Sequence, residues 1–387
     1  MIAPFDLNLR HLRAIPLIAR RGSMNAAADG VSLSQPALTQ GLAKIERQIE
    51  MVLFERRSDG MIPTAEGKIF ASRIEAALAQ LARAAGRGAR GFARPEMLMT
   101  GTQLRAFLAL ADAGSFVEAA RDTGWSQPAL HRAVRDLEHL GSTPLVERRG
   151  RGVVLTADGR KLARGIRLAA AELTAAITET RPDAGASGRL VVGAMPLSRA
   201  RVLPNAIAAM VRGAPRATID VVEGSWRELV EPLRDGVIDL MIGALREEAP
   251  VGLDQQPLFD DRLAVVARAD HPLSGTVPTL SDLARFPWIV GSSNTPLRAH
   301  WDALFAAARP PAPIECGSVM TIRGILLDSD CLTLLSPDQI AMEIEAGLLT
   351  LIGPPRDDMV RTIGVTTREG WRPTRLQTRF LELLQPR

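Results

Sequence analysis

The first 160 residues carry one pattern twice, at a constant shift of 92 residues that needs no gap. Gly22-Ser23 recurs as Gly114-Ser115, Ala27-Ala28 as Ala119-Ala120, and Ser34-Gln35-Pro36-Ala37-Leu38 as Ser126-Gln127-Pro128-Ala129-Leu130. Glu46 matches Glu138, Leu53 matches Leu145, Glu55-Arg56-Arg57 matches Glu147-Arg148-Arg149, and Thr64-Ala65 with Gly67 matches Thr156-Ala157 with Gly159. Such a chain must fold one unit twice.

Each copy reads as two helices, a tight turn, a third helix, a short hairpin and a longer helix. In the second copy Leu104, Phe107, Leu108 and Ala111 share one helix face, and Gly114-Ser115 ends that helix and caps the next. Asp122-Thr123-Gly124-Trp125 then turns the chain into Ser126, a good N-cap. Pro128 is tolerated in the first turn because its missing N–H has no helical partner there. This is helix-turn-helix architecture. Ser58-Asp59-Gly60 and Gly150-Arg151-Gly152 suit the tips of two-stranded wings. Beyond each wing runs an apolar stripe at helical spacing, Phe70, Ile74, Ala77 and Leu81 in one copy and Leu162, Ile166, Ala169, Leu173 and Ile177 in the other. Such a stripe is either ordinary core or a dimerisation helix; its place after a wing favours the second reading.

Charge divides the chain. Residues 1–180 hold 25 Lys/Arg against 18 Asp/Glu, and the remainder 22 against 25. A basic half, its positive charge nearly all arginine, suits phosphate and guanine edges at one end only. The two cysteines, Cys316 and Cys331, exclude a disulfide scaffold and a zinc cluster. They read as two buried thiols, with a redox pair as the alternative. The five histidines share no ligand or catalytic spacing, so no enzyme, metal or cofactor is expected. No export signal or long apolar run stands in the sequence, which points to a cytoplasmic protein without a membrane partner.

Gly114-Ser115-Phe116 with Ala119-Ala120, Ser126 to Leu130, Leu137-Glu138, Pro144-Leu145 with Arg148, and Leu155-Thr156 with Gly159 together resemble the LysR-type transcriptional regulators. The resemblance extends over the C-terminal half. Two modules instead of one is the departure from the family pattern. The first copy also deviates locally: Pro16 interrupts its first helix, Ile49 stands where the second copy has Gly141, and Pro63 replaces Leu155. Two functional reading modules are favoured over one functional and one decayed.

In such a module the first turn of the third helix enters the major groove. Ser34, Gln35, Pro36, Thr39 and Gln40 take that place in the first copy, and Ser126, Gln127, Pro128, His131 and Arg132 in the second. The two helices therefore read different bases. Arg56, Arg57, Arg148, Arg149 and Arg151 are expected on phosphate or the minor groove. Arg83, Arg87, Arg90 and Arg94, interleaved with glycines, read first as a flexible connector and second as backbone contacts.

After the turn-rich stretch 181–188, strands alternate with helices, as in a parallel α/β sheet: strands at 189–193, 217–223 and 239–243, then 263–267, 288–291 and 331–335. The family resemblance implies a two-lobed fold like the type 2 periplasmic binding proteins, with crossings near Val265 to Asp270 and Leu351 to Arg361. The ending Ile363 to Arg368 with Trp371, Pro373 and Thr374 resembles the branch regulating sugar uptake and aromatic-acid catabolism. Strand ends facing helix starts favour an anion. Met195, Ser198, Ser293, Asn294 and Thr295 are the expected effector contacts, with Ser318, Met320 and Thr321 as secondary lining.

The expected fold is thus α plus α/β: two tandem winged helix-turn-helix modules with linker helices, then a two-lobed effector domain. The boundaries are 7–67 for the first module, 68–98 for its linker helix and connector, 99–159 for the second module, 160–187 for the dimerisation helix and 188–387 for the effector-binding domain. Lobe I takes about 188–266 plus 355–387, and lobe II about 267–354. The expected function is effector-controlled, sequence-specific binding of double-stranded promoter DNA by a homodimer or homotetramer. Linker helices would pair two chains, giving a dimer four heads.

Overall fold

The computed structural model describes residues 2–58, 60–85, 94–150, 152–181, 183–195, 202–293 and 295–385. An N-terminal unit contains Met1–Gly188, and a C-terminal unit contains Arg189–Arg234 and Ile238–Arg387.

In the N-terminal unit the repeated sequence gives repeated structure. The first copy runs through helices Leu9–Leu12, Ile15–Arg21, Met24–Gly30 and Gln35–Ile49, and the second through Gly101–Ala113, Phe116–Thr123 and Gln127–Gly141. The first helix of copy one breaks at Arg13-Ala14, and Pro16 sits in the first turn of the following segment, where no backbone donor is required. Antiparallel hairpins follow, Phe54–Arg57 with Gly60–Pro63 and Val146–Arg149 with Gly152–Leu155. The backbone oxygen of Gly22 accepts from Met61 N, and that of Gly114 from Val153 N, so each wing is pinned to the end of the first helix. Both glycines cap that helix at φ +64°, a conformation that side chains rarely adopt.

Linker helices Ala65–Ala85 and Ala157–Glu179 begin three residues earlier than the expected boundaries at 68 and 160. Thr64 and Thr156 set that start, each hydroxyl accepting from the backbone N–H three residues on, at Gly67 and Gly159. A Cβ at Gly67 or Gly159 would collide with the carbonyl oxygen of Leu53 or Leu145, so these glycines let the helix lie against the wing strand. Gly159→Ala is expected to lower stability by about 1–3 kcal/mol, seen as an earlier urea midpoint with unchanged slope. No change in midpoint would show that helix and strand can separate freely.

The apolar stripes expected to pair two chains are filled within one. The two linker helices pack along each other, and both modules share one hydrophobic core from Phe5 to Ile177 that includes Phe70, Ile74, Ala77, Leu81, Leu162, Ile166, Ala169 and Leu173. Gly165 lies against Ala84 and Gln80, while Arg73 reaches Glu172 and Glu179, so the helices run antiparallel. The single-turn helix before each module packs on the other copy's linker: Pro4–Asp6 on Ala157–Glu179, and Pro95–Met97 on Ala65–Ala85. Arg13, buried, donates to the backbone oxygens of Met97, Glu96 and Met99 and ties the second module's entry to the first.

The C-terminal unit has two five-stranded sheets. One holds Ser187–Ala194, Arg216–Glu223, Leu240–Ala244, Leu253–Arg262 and Val360–Arg368. The strand at 187–194 runs parallel to that at 240–244, but the return strand Val360–Arg368 is antiparallel to both its neighbours, so the sheet is mixed rather than wholly parallel. Helices Val202–Gly213 and Arg375–Leu383 cover one face through Leu203, Met210 and Phe380, and Leu229 and Leu233 cover the other. The second sheet holds Ala264–Arg268, Trp288–Val290, Ile314–Glu315, Leu332–Leu335 and Leu349–Leu351. Trp288 and Val290 face Trp301 and Phe305, and Ile289 between them faces Ile322 and Leu326, the period-two alternation of a strand buried on both faces.

The chain first crosses between lobes at 262–264, since Leu263 already belongs to the second core. That is earlier than the expected crossing at 265–270 and moves the start of lobe II from 267 to about 263. At this crossing Arg361 and Asp261, opposite each other on adjacent strands, form a buried ion pair, with Arg361 Nε 2.8 Å from Asp261 Oδ2. Cys331 is buried in the second lobe and Cys316, half-buried, packs on the same cluster; both are free thiols.

Candidate nucleic-acid interface and effector cleft

The two third helices are built alike. Ser34 accepts from Ala37 N and Ser126 from Ala129 N, both at 3.4 Å, and Pro36 or Pro128 follows in the first turn. Leu38, Leu42, Ile45 and Ile49 bury one face of the first, and Leu130, Val134 and Leu137 bury one face of the second. The opposite faces leave Ser34, Gln35, Pro36, Thr39 and Gln40, and Ser126, Gln127, Pro128 and Arg132, exposed.

A glutamate fixes each third helix to its wing. Glu46 Oε1 accepts from Leu53 N at 2.7 Å and Phe54 N at 3.3 Å; Glu138 Oε1 accepts from Leu145 N at 2.8 Å and Val146 N at 3.4 Å. The sequence signal was present, because Glu46 and Glu138 match across the repeat, yet it did not reveal their role.

In the first module Ser23, Asn25, Gln35, Thr39, Arg56 and Arg57 line one groove of about 540 Å³ between the third helix and the wing. The structure thus brings four of the expected first-module residues to one concave surface, where exposed guanidiniums stand beside polar helix positions. Thr39 Oγ1 donates to Gln35 O, and Arg57 is forked onto Glu55. In the second module Arg148 and Arg149 are exposed on the wing. His131 differs from its neighbours: its ring stacks on Phe116, centroids 3.6 Å apart, and is half-buried. Desolvation, with Arg135 and Arg148 nearby, holds its pKa below the usual histidine value, so the ring is neutral at neutral pH. Arg151, Arg87 and Arg90 lie outside the described residues.

In the effector unit, Met195 is buried at the end of its strand, tight against Gly243. Thr295 caps helix Pro296–Leu304, accepting from Arg298 N, and Ser318 caps Val319–Leu327, accepting from Thr321 N. Ser293 donates through both its backbone N–H and its hydroxyl to Glu315, at 3.4 Å each, and Arg298 lies 3.6 Å from the same carboxylate. Sequence reasoning missed Glu315, which occupies donors expected to meet an anion. Thr321 and Met320 are exposed. Ser198 and Asn294 lie outside the described residues. Among the described residues no group of His, Cys, Asp and Glu is placed to hold a metal, and no helix is long and apolar enough to cross a membrane.

Residues 183–387 match the LysR substrate binding domain, and the bacterial regulatory helix-turn-helix protein model of the lysR family matches over residues 9–68 and 102–160. The chain belongs to the LysR family of transcriptional regulators. This regulator is 32% identical over 368 residues to the HTH-type transcriptional regulator GalR of Pseudomonas putida, spanning 94% of this chain and 93% of that one. It is also 32% identical over 255 residues to the SDS degradation transcriptional activation protein of a Pseudomonas species, 65% of this chain and 83% of that protein. In fold it is similar to a full-length OxyR variant of Pseudomonas aeruginosa (TM-score 0.57, 22% identity, 73% of this chain and 92% of that one) and to ArgP of Mycobacterium tuberculosis (TM-score 0.58, 16% identity, 73% and 94%). It is a regulator with a DNA-binding region and a ligand-binding domain, not an enzyme.

Proposed function

We propose that both modules read promoter DNA and that a small molecule held between the lobes of the C-terminal unit controls the outcome, in a cytoplasmic oligomer. The observation that carries the first part is the duplication of the interface itself: cap, exposed third-helix face, glutamate clasp and arginine-bearing wing recur in both copies. A decayed copy would keep its core and lose its exposed face, whereas Gln35, Thr39, Gln40, Arg56 and Arg57 remain polar and accessible. Glutamine suits adenine and arginine suits guanine, so Gln40 and Arg132 direct the two heads to different bases.

The sensing reading rests on two helix starts, capped by Thr295 and Ser318, that follow the neighbouring strands Trp288–Val290 and Ile314–Glu315. An anionic effector there displaces Glu315 from Ser293 and takes Arg298 as counter-charge; a sugar or aromatic acid meets the same donors through hydroxyls or a carboxylate. Because the linker stripes are filled within the chain, chain-to-chain assembly falls to other surfaces.

The test is a footprint of the full-length protein on the DNA flanking its own gene, wild type against Gln40→Ala and Arg132→Ala. Each substitution is expected to remove protection over a different stretch. If Gln40→Ala leaves the footprint intact, the first module is structural and the two-reader proposal fails.

A further inference from the structure

The contact between the linker helices is repeated, but its charges are not. Shifting by 92 residues turns the contact of Arg73 with Glu172 into that of Gly165 with Gln80, and both are present: Arg73 Nη1 lies 3.1 Å from Glu172 Oε2, and a Cβ on Gly165 would lie 3.1 Å from the Gln80 carbonyl oxygen. The two copies are therefore related by a pseudo-two-fold axis through the linker pair. Across that axis one side carries a buried ionic triad, Arg73 with Glu172 and with Glu179 at 2.7 Å. The other carries Gly165 against Gln80 and Ala84.

This asymmetry selects the partner. Two first-copy linkers from different chains, paired in the same register, would bury Arg73 against Gln80 and Ala84 with no carboxylate. Two second-copy linkers would set Glu172 against Gly165, which has no side chain to meet it. Unlike linkers join Arg73 to Glu172 and Glu179, and an unpaired buried charge is heavily penalised. The close approach of Ala84 to Gly165 and the crosswise packing of Pro4–Asp6 and Pro95–Met97 add shape to the same choice.

We propose that the N-terminal unit, its linkers fixed together by this triad, is a pseudo-dimer within one chain that fits a DNA duplex carrying two different half-sites in inverted orientation. The proposal rests on both modules reading DNA. Helix rise supplies the scale. With residue 84 beside 165 and 73 between 172 and 179, the starts of the two linkers lie about 40 Å apart along the pair at 1.5 Å per residue, comparable with the roughly 34–36 Å of one duplex turn between half-sites. A two-fold relation between the two third helices is what inverted half-sites require.

The experiment is selection of random-sequence duplex by the full-length protein, followed by native mass measurement of the complex with the selected DNA. The expected motif has two unlike halves one turn apart, filled by one chain. Arg132→Ala should blur one half only, weakening binding to it by about 5- to 150-fold. Two identical halves, or two chains needed to fill one pair of halves, would overturn the proposal while leaving DNA reading intact. Retention of no duplex at all would overturn the DNA-reading proposal, and this one with it.

Discussion

Arg73→Met is expected to destabilise the N-terminal unit by about 3–5 kcal/mol, the range for breaking a buried ion pair from one side. The arginine side chain is 5% exposed, and its partners Glu172 and Glu179 are 15% and 11% exposed, so neither carboxylate has ready access to water once the guanidinium is gone. Methionine fills most of the volume, which isolates the electrostatic loss from a cavity. Helical signal at 222 nm during urea unfolding of the full chain is the readout. Adding Glu172→Gln and Glu179→Gln to Arg73→Met should recover most of the loss, because the uncompensated charges are removed with their partner. A loss below about 1 kcal/mol would mean that water reaches these carboxylates.

A comparable loss, again about 3–5 kcal/mol, is expected for Arg361→Met, but in the other unit. Arg361 and Asp261 are 3% and 9% exposed by side chain, and the guanidinium also lies 3.5 Å from Gln339 Oε1. The pair sits where both connecting strands pass between lobes, so its removal loosens the crossing as well as the lobe cores. Tryptophan fluorescence is the natural probe, since Trp288 and Trp301 are buried in the second lobe. Arg361→Met should advance that transition and leave the helical transition of the N-terminal unit in place. Equal shifts in both signals would show that the units unfold together.

The helical modules were legible because their periodicity and caps agree. Ser34 and Ser126 announce helix starts, and buried positions follow at three- and four-residue spacing, whereas the starts set by Thr64 and Thr156 lie three residues before the expected boundaries. Strand Leu253–Arg262 was not legible: its mixed burial, several charges and Pro257 hide a strand that pairs on only one side. Helix Val319–Leu327, rich in valine, isoleucine and leucine, resembles a buried strand, and only the Ser318 cap betrays it. For the linker helices, periodicity revealed an apolar face but not its partner. The usable signal was Arg73 opposite Gly165 in the repeat alignment, a charge within a stripe whose counterpart has no side chain. In the effector cleft, the helix start at Thr295 was readable and the one at Ser318 was not, while Glu315 comes from a distant strand and only the folded chain brings it to Ser293.

Joining two heads in one polypeptide changes how promoter occupancy responds to protein abundance. Separate one-headed chains that must meet before binding give occupancy that falls with the square of concentration when scarce. Here Arg73, Glu172 and Glu179 join the linker helices of the two modules, so on the two-reader proposal the local concentration of the second head is set by chain geometry at every dilution. If both modules read DNA as proposed, partial depletion of the protein would thin the bound population without splitting any pair of modules.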